Sequence, residues 1–171
     1  FLSSLEGVVT ENTNNSPEEK EFFLKLMDET FGNSRCVVDS AKRFYGVDMR
    51  ALPFGYVGQN DEVLPIKSNI RQIIWVGNVK ANKRPMLLIE CARRFPDIQF
   101  IMVGDGDMDE EVQKEISHYG LKNVTKTGRI PNGQVYTHMN ASDLLLMTSE
   151  YEGLPKVIQE AASCGLPSIY I

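Results

Sequence analysis

Two carboxylates and three cations are the residues whose types and spacing could do chemistry in this chain. The carboxylates, Glu152 and Glu160, stand in the closing stretch TSEYEGLPKVIQEAASCG. The cations, Lys80, Lys83 and Arg84, stand in GNVKANKRP. Cations beside a helix N-terminus, backed by free amides and the helix dipole, suit a phosphate or diphosphate. Elsewhere on a surface the same three are merely solvated. A helix starting near Leu154 would put Glu152 at its N-terminal edge beside Gly153, with Glu160 two turns further in. Eight residues at about 1.5 Å each separate the glutamates by roughly 12 Å along the axis. That exceeds the ~5–9.5 Å between the paired carboxylates of a sugar-cleaving hydrolase, which argues against such a pair. The spacing matches instead the two ends of a ligand lying along the helix. Glu152 and the amides of Gly153 and Leu154 could hold hydroxyls or a phosphate. Glu160 could accept from vicinal hydroxyls such as those of ribose. Ala161 and Ala162 beside it predict a closely packed helix, in which a glutamate needs a partner.

Other groups carry less. VGDGDMD offers Gly104 and Gly106 but ends in Asp109 rather than glycine, and its acids would repel a pyrophosphate. It reads as a tight turn, not a dinucleotide fingerprint. His118 and His138 lie in expected helices with no ligand-spaced Glu or Cys, so no metal centre is expected. Cys36, Cys91 and Cys164 are odd in number and widely spaced, as reduced, packed thiols of a cytoplasmic protein would be. Sequons at Asn14, Asn123 and Asn140 mean little there. Trp75, inside an apolar run, is expected in the core.

The elements that must position these residues alternate from Ile70 onward. IIWVGN, IQFIMVG, NVTKTG, DLLLMTS and PSIYI read as buried strands. Between them, RPMLLIECARRF predicts a helix with Pro85 in its first turn, and DMDEEVQKEISHYG one capped by Gly120. A short helix is expected from about Gly133 to Met139, and a long one over LPKVIQEAASCG, capped by Gly165. Strands alternating with helices imply right-handed crossovers and a parallel sheet covered on both faces, a Rossmann-like α/β domain. Its strand ends carry GNVKANKRP, GDGD, GRIPNG and TSEYEGLP, which should converge on one crevice.

The first part of the chain differs. Ser16-Pro17-Glu18-Glu19 predicts a capped helix running to Gly32, burying Phe22, Phe23, Leu26, Met27 and Phe31. Ser34 can cap a second helix over RCVVDSAKRFYG, and MRALPFG reads as a strand entering a turn. QNDEVLPIKSN is polar and aperiodic, a linker. The expected organisation is therefore 1–58 as the end of one domain, 59–69 as linker and 70–171 as an incomplete α/β domain lacking C-terminal elements.

Composition narrows the classes. A net charge of −5 over 171 residues argues against a nucleic-acid partner. Hydrophobic residues at 42% and charged residues at 24% are an ordinary globular balance. No apolar run reaches the ~20 residues that span a bilayer.

Taken together, these residues resemble the C-terminal half of retaining GT-B glycosyltransferases of the glycogen-synthase-like and mannosyltransferase-like group. The hallmark is S-x-x-E-G-x-P-x-V-x-x-E-A-x-x-x-G-x-P, with seven residues between its glutamates. It stands here as Ser149, Glu152, Gly153, Pro155, Val157, Glu160, Ala161, Gly165 and Pro167. VGNVKANKRP, DIQFIMVGDGD, NVTKTGRIP and ASDLLLMTS are similar to the preceding blocks, in the same order. The resemblance covers about 70–171 and extends to 33–58.

The resemblance implies a nucleotide-diphosphate sugar as donor, with transfer to a glycan or lipid-linked acceptor hydroxyl and retention at the anomeric carbon. Glu160 would bind the ribose. Glu152, with the amides of Gly153 and Leu154, would hold the sugar and its phosphate. Lys83 would neutralise the diphosphate. Gly77, Asn78 and Arg84 would line the donor loop, and the backbone near Arg129 and Ile130 would flank the base. The family's usual arginine after Gly77 is Asn78 here, so Lys80 or Arg84 substitutes for it or diphosphate binding is weakened. Pro155 lacks an amide to donate. No cofactor or metal is implied, because positioned charge can stabilise a departing diphosphate. A cytoplasmic site is expected, with any peripheral membrane contact made through an N-terminal domain. Most acceptor-side groups would belong to that domain, so this chain alone is expected to bind nucleotide and turn over little. The competing readings are a non-catalytic nucleotide-binding module, a GT-B nucleotide-sugar epimerase and a flavodoxin-like signalling domain.

Overall fold

The computed structural model describes residues 2–5, 18, 21, 29–32, 35–51, 69–152 and 155–171. The chain divides into two compact units, one of 1–55 with 151–155 and one of 56–150 with 156–171.

In the smaller unit, β1 (Leu2–Leu5), β2 (Glu29–Gly32) and β3 (Arg50–Ala51) form a parallel sheet in that order. Helix α1 (Arg35–Tyr45) joins β2 to β3. Its buried residues Val37, Ala41 and Tyr45 recur every fourth position, which places them on one stripe. This α1 is the second helix expected from the sequence. The first expectation fails at its end, since Glu29–Gly32 is a strand and not the last turn of a helix. As the middle strand, β2 pairs with a neighbour on either side, from Leu2↔Glu29 to Phe31↔Arg50. Such pairing outweighs a local helical pattern of apolar residues. Glu18 and Glu21 are helical; Ser16, Pro17, 22–28, Ser34 and 52–68, with most of the expected linker, lie outside the described residues.

The larger unit alternates strictly. Its elements are β4 (Gln72–Val76), α2 (Pro85–Arg94), β5 (Gln99–Val103), α3 (Asp109–His118), β6 (Val124–Gly128), α4 (Asn132–Ala141), β7 (Leu144–Met147), α5 (Lys156–Ser163) and β8 (Ser168–Tyr170). All pairs are parallel, in the order β6-β5-β4-β7-β8. Counted within this unit, that is third, second, first, fourth, fifth, the Rossmann order. A flavodoxin-like sheet runs second, first, third, fourth, fifth, so that reading is set aside.

Period-two side-chain alternation sorts the core into two layers. Ile73, Trp75, Phe100, Met102 and Leu146 face one layer, with Leu88, Ile89 and Ala92 of α2 and Val112 of α3. Ile74, Val103 and Leu145 face the other, with Val135 and Met139 of α4 and Ala161 of α5. Trp75 is core, as expected. Two buried polar side chains fix strand starts. Asp143 Oδ2 accepts from the amides of Arg71 (2.8 Å) and Gln72 (2.9 Å). Asn123 Nδ2 donates to the carbonyls of Ala92, Phe95 and Ile98. With its amide nitrogen so engaged, Asn123 is no glycan acceptor in the folded chain, whatever its sequon.

Two boundaries move. Helix α4 reaches Ala141 rather than Met139, and α5 begins at Lys156 rather than near Leu154. Glu152 therefore does not stand on that helix, and the ~12 Å axial spacing inferred for the two glutamates does not hold. Pro155 immediately precedes the helix, where its fixed φ and missing N–H are tolerated.

Candidate functional site

The strand order reverses between β4 and β7. In open parallel sheets, ligands settle at such a switch point, beyond the carboxyl ends of the strands. Here the loop 77–84 leaves β4 for α2, and Thr148 and Ser149 follow β7. The N-termini of α2 and α5 both follow these two strands, so two positive dipole ends lie at this edge. At α2, Pro85 has no amide N–H and the Leu87 amide donates to the Arg84 carbonyl (3.1 Å).

The loop after β4 is built in detail. Ala81–Lys83 form one 3-10 turn, with the Lys83 amide donating to the Lys80 carbonyl (3.0 Å). Arg84 follows at φ 44°, ψ 55°, the one non-glycine residue with positive φ among the described residues. A left-handed conformation costs a residue with a Cβ roughly 1–2 kcal/mol. Arg84 is held there by its own contacts. Its amide donates to the Ala81 carbonyl (3.0 Å), Nε to the Thr148 carbonyl (2.6 Å) and Nη2 to the Ile171 carbonyl (2.6 Å). The Thr148 hydroxyl donates to the Lys83 carbonyl (2.5 Å) and accepts from Trp75 Nε1 (2.9 Å). The Glu150 amide donates to the Asn82 carbonyl (2.8 Å), and the Tyr170 hydroxyl to the Ser149 carbonyl (2.5 Å). The ends of β4, β7 and β8 are thus bound into one edge. Lys83 is half-buried, Lys80 and Asn78 are exposed, and Gly77 is half-buried.

The neighbouring loop after β5 has another task. A Cβ on Gly104 would lie 1.9 Å from the Gly77 carbonyl oxygen, and one on Gly106 2.6 Å from that of Val79. The two loops meet backbone to backbone, with the Val79 amide donating to Asp105 O and the Met108 amide to Val79 O, both at 2.9 Å. Asp109 closes this loop. Its Oδ2 accepts from the Gly106 amide (2.9 Å), and its Oδ1 lies 2.7 Å from Lys126 Nζ. The Lys126 contact and then the Gly106 amide hold the Asp109 carboxyl below its usual range. The glycines of VGDGDMD thus serve close packing, in keeping with rejection of a dinucleotide fingerprint.

Glu160 lies on α5, four residues and so roughly 6 Å along the axis from its start. It is half-buried. Burial, then the Glu160 charge and then Cys164, raise the Tyr136 phenol of α4 above its ordinary value. Cys164 is raised as well, chiefly by burial. Arg129 is exposed and Ile130 half-buried after β6, the edge strand two places from the switch point. Glu152 is half-buried and groups with the smaller unit, while Gly153 and Leu154 lie outside the described residues. The larger unit therefore brings Gly77, Asn78, Lys83 and Arg84 together on one loop. Arg129 and Ile130 stand at the same edge of the sheet but further along it. Thr148 was missed by the sequence reading. Its only signal there was a polar residue ending an apolar strand.

Among the described residues, no group of three His, Cys, Asp or Glu side chains is placed to hold a metal ion. No helix among them is long and apolar enough to cross a membrane.

Comparison with known proteins gives a consistent picture. Residues 58–171 match the family described as Glycosyl transferases group 1. An Escherichia coli UDP-Gal:alpha-D-GlcNAc-diphosphoundecaprenol alpha-1,3-galactosyltransferase is 30% identical over 125 residues, covering 64% of this chain and 30% of that protein. The amylovoran biosynthesis glycosyltransferase AmsD of Erwinia amylovora is 34% identical over 111 residues, covering 64% of this chain and 31% of that protein. The chain thus spans less than a third of these relatives. Among solved structures, Anabaena Alr3699/HepE in complex with UDP and glucose superposes with a TM-score of 0.80 at 19% identity, covering 99% of this chain and 52% of that one. The sucrose-phosphate synthase of Thermosynechococcus elongatus gives 0.78 at 19% identity, covering 99% and 49%. At such identities these two establish the shared GT-B fold.

Proposed function

We propose a function from one plain premise: this chain belongs to the group 1 glycosyl transferases. The protein of which it forms part transfers a sugar from a nucleotide-diphosphate donor to an acceptor hydroxyl, with retention, and this chain supplies donor-binding groups. The observation that carries the reading is the switch point between β4 and β7, where the Lys83 loop and α5 with Glu160 both begin. A donor diphosphate is drawn to the positive dipole end at the start of α2. Lys83 then stabilises the charge that grows on the diphosphate as the sugar departs, a task for a positioned cation. Glu160 accepts from the ribose hydroxyls, as an acceptor-only carboxylate can.

The motif extends the assignment to Glu152 with Gly153 and Leu154 for the sugar and its phosphate, and to Arg129 and Ile130 for the base. Gly77 leaves room beside the donor, and Asn78 follows it. Arg84 has Nε and Nη2 on carbonyl oxygens, so the charge replacing the family's arginine comes chiefly from Lys80 with Lys83. The acceptor is a glycan or lipid-linked hydroxyl, the class named for the E. coli relative. The reaction is placed on the cytoplasmic side and needs no metal. Any membrane contact is made through the N-terminal domain.

Titration calorimetry of the chain with UDP, GDP and ADP tests this. One of the three is expected to bind, and Glu160→Ala to weaken it about tenfold or more, the loss of a charged hydrogen-bond acceptor. Binding of none, or unchanged affinity in the variant, would sink the ribose assignment. Turnover of a nucleotide sugar by a longer chain containing the N-terminal domain then separates a transferase from a passive binder or an epimerase.

A further inference from the structure

We infer that Thr148 is a positioning residue, fixing the backbone of Lys83 and Arg84 so that the Lys83 ammonium meets a donor diphosphate. The inference rests on the donor-site reading above and adds to it a residue that contacts no ligand.

Thr148 is fully buried, at the first position beyond β7. Every polar group it offers beyond its own amide is directed at the switch point. Its hydroxyl donates to the Lys83 carbonyl and accepts from Trp75 Nε1, and its carbonyl accepts from Arg84 Nε. One residue therefore grips both Lys83 and the left-handed residue that follows it. Two strands meet through this grip, because Trp75 belongs to β4 and Thr148 follows β7, the pair on either side of the reversal. A hydroxyl is needed because the groups it serves differ: Lys83 offers an acceptor and Trp75 a donor. Among uncharged side chains of this size, a hydroxyl answers both. Replacing it by a methyl leaves the part-buried Lys83 carbonyl and the buried indole N–H without this partner, and the Lys83 turn is released to find water. The Lys83 side chain then samples directions away from the diphosphate, and the loss falls on phosphate binding rather than on the nucleoside.

This split is the test. The full chain, as wild type, Thr148→Val, Thr148→Ser and Lys83→Ala, is titrated with the best binder among UDP, GDP and ADP and with the matching nucleoside. Thr148→Val is expected to weaken the diphosphate about tenfold and leave the nucleoside within about twofold. Thr148→Ser, which keeps the hydroxyl, is expected to stay near wild type. Trp75 is the only tryptophan, so its single indole N–H peak in a proton–nitrogen correlation spectrum reports the same bond. That peak is expected to move in Thr148→Val and to hold in Thr148→Ser. Should Thr148→Val not give the wild-type circular dichroism spectrum, Thr148→Ala takes its place. Equal weakening of nucleoside and diphosphate, an unchanged diphosphate affinity, or a Thr148→Ser as weak as Thr148→Val would each overturn the inference. If Lys83→Ala binds the diphosphate like wild type, or no nucleotide binds, the donor-site reading fails and takes this inference with it. If Lys83→Ala weakens binding and Thr148→Val does not, only the positioning role fails.

Discussion

The loops that follow β4 and β5 lie side by side, each opens on a glycine, and they are used in opposite ways. GNVKANKRP is basic and is held from the far side, by Thr148 after β7 and by the carbonyl of Ile171 after β8. GDGDMD is acidic, closes on itself where Asp109 accepts from the Gly106 amide, and is tied to β6 by Lys126. Its glycines touch the backbone of the first loop, where no side chain fits. The loop with the more familiar glycine spacing is therefore the support, and the loop it supports carries one glycine and three cations. Glycines at a strand end can serve a ligand or a neighbouring backbone. The distance from a virtual Cβ to that backbone tells the two apart.

The sharpest way to break the contrast is Gly104→Ala. At φ 126°, with its Cβ 1.9 Å from a carbonyl oxygen, the supporting loop must separate from its neighbour. A loss on the order of 4 kcal/mol is expected in urea denaturation, or failure to fold. A loss under about 1 kcal/mol would show that the loops need not touch. Arg84 gives the next effect. Arg84→Ala loses hydrogen bonds to two carbonyls while keeping the left-handed strain, and should cost about 2–3 kcal/mol. Arg84→Gly loses the same bonds but relieves the strain, so it should recover about 1 kcal/mol of that. Equal stability of the two variants would mean that the backbone stores no strain there.

Asp109→Asn gives the smallest effect, with a pH signature. The Asp109 carboxyl titrates below its usual range when folded. Its contribution is therefore present above the unfolded value, near 3.9, and is lost as pH falls through the lower folded value. Wild type should exceed the variant by about 1 kcal/mol at pH 7 for this half-buried pair. The gap should close as pH drops below about 4. A gap that persists in acid would assign the effect to the Gly106 amide contact instead of the charge.

The larger unit was legible in the sequence because its strands are buried on both faces. IIWV and FIMV leave no other reading, and each is followed by a glycine and a helix signal. The smaller sheet was not. LSSL and ETFG are short and mixed, and what makes ETFG a strand is its pairing with residues 27 positions before and 19 after. That Lys80, Lys83 and Arg84 follow a strand could be read from the sequence, but what holds their loop could not. Thr148 reaches residues 65 and 73 positions away, and nothing local marks a threonine at a strand end as the centre of such a grip. Pro155 hid the start of α5 in a similar way, since proline suits the last residue before a helix as well as the first within it.

The place of β4 at the centre of its sheet also sets an order of assembly. It can pair with β5 and β6 as soon as they exist, and α2 and α3 cover that half. Its other flank waits for β7, with Ile73 pairing Leu144, 71 residues later. At a ribosome adding about 5–20 residues per second, that is a delay of about 4–14 s. Throughout it the middle strand of the finished sheet is an open edge, exposing Ile74 and the unpaired amides of Arg71 and Gln72 that Asp143 will take. Parallel pairings of this reach are slow to close. Aggregation during synthesis should therefore be governed by this one strand, and a substitution that slows arrival of β7 should lower soluble yield more than it lowers final stability.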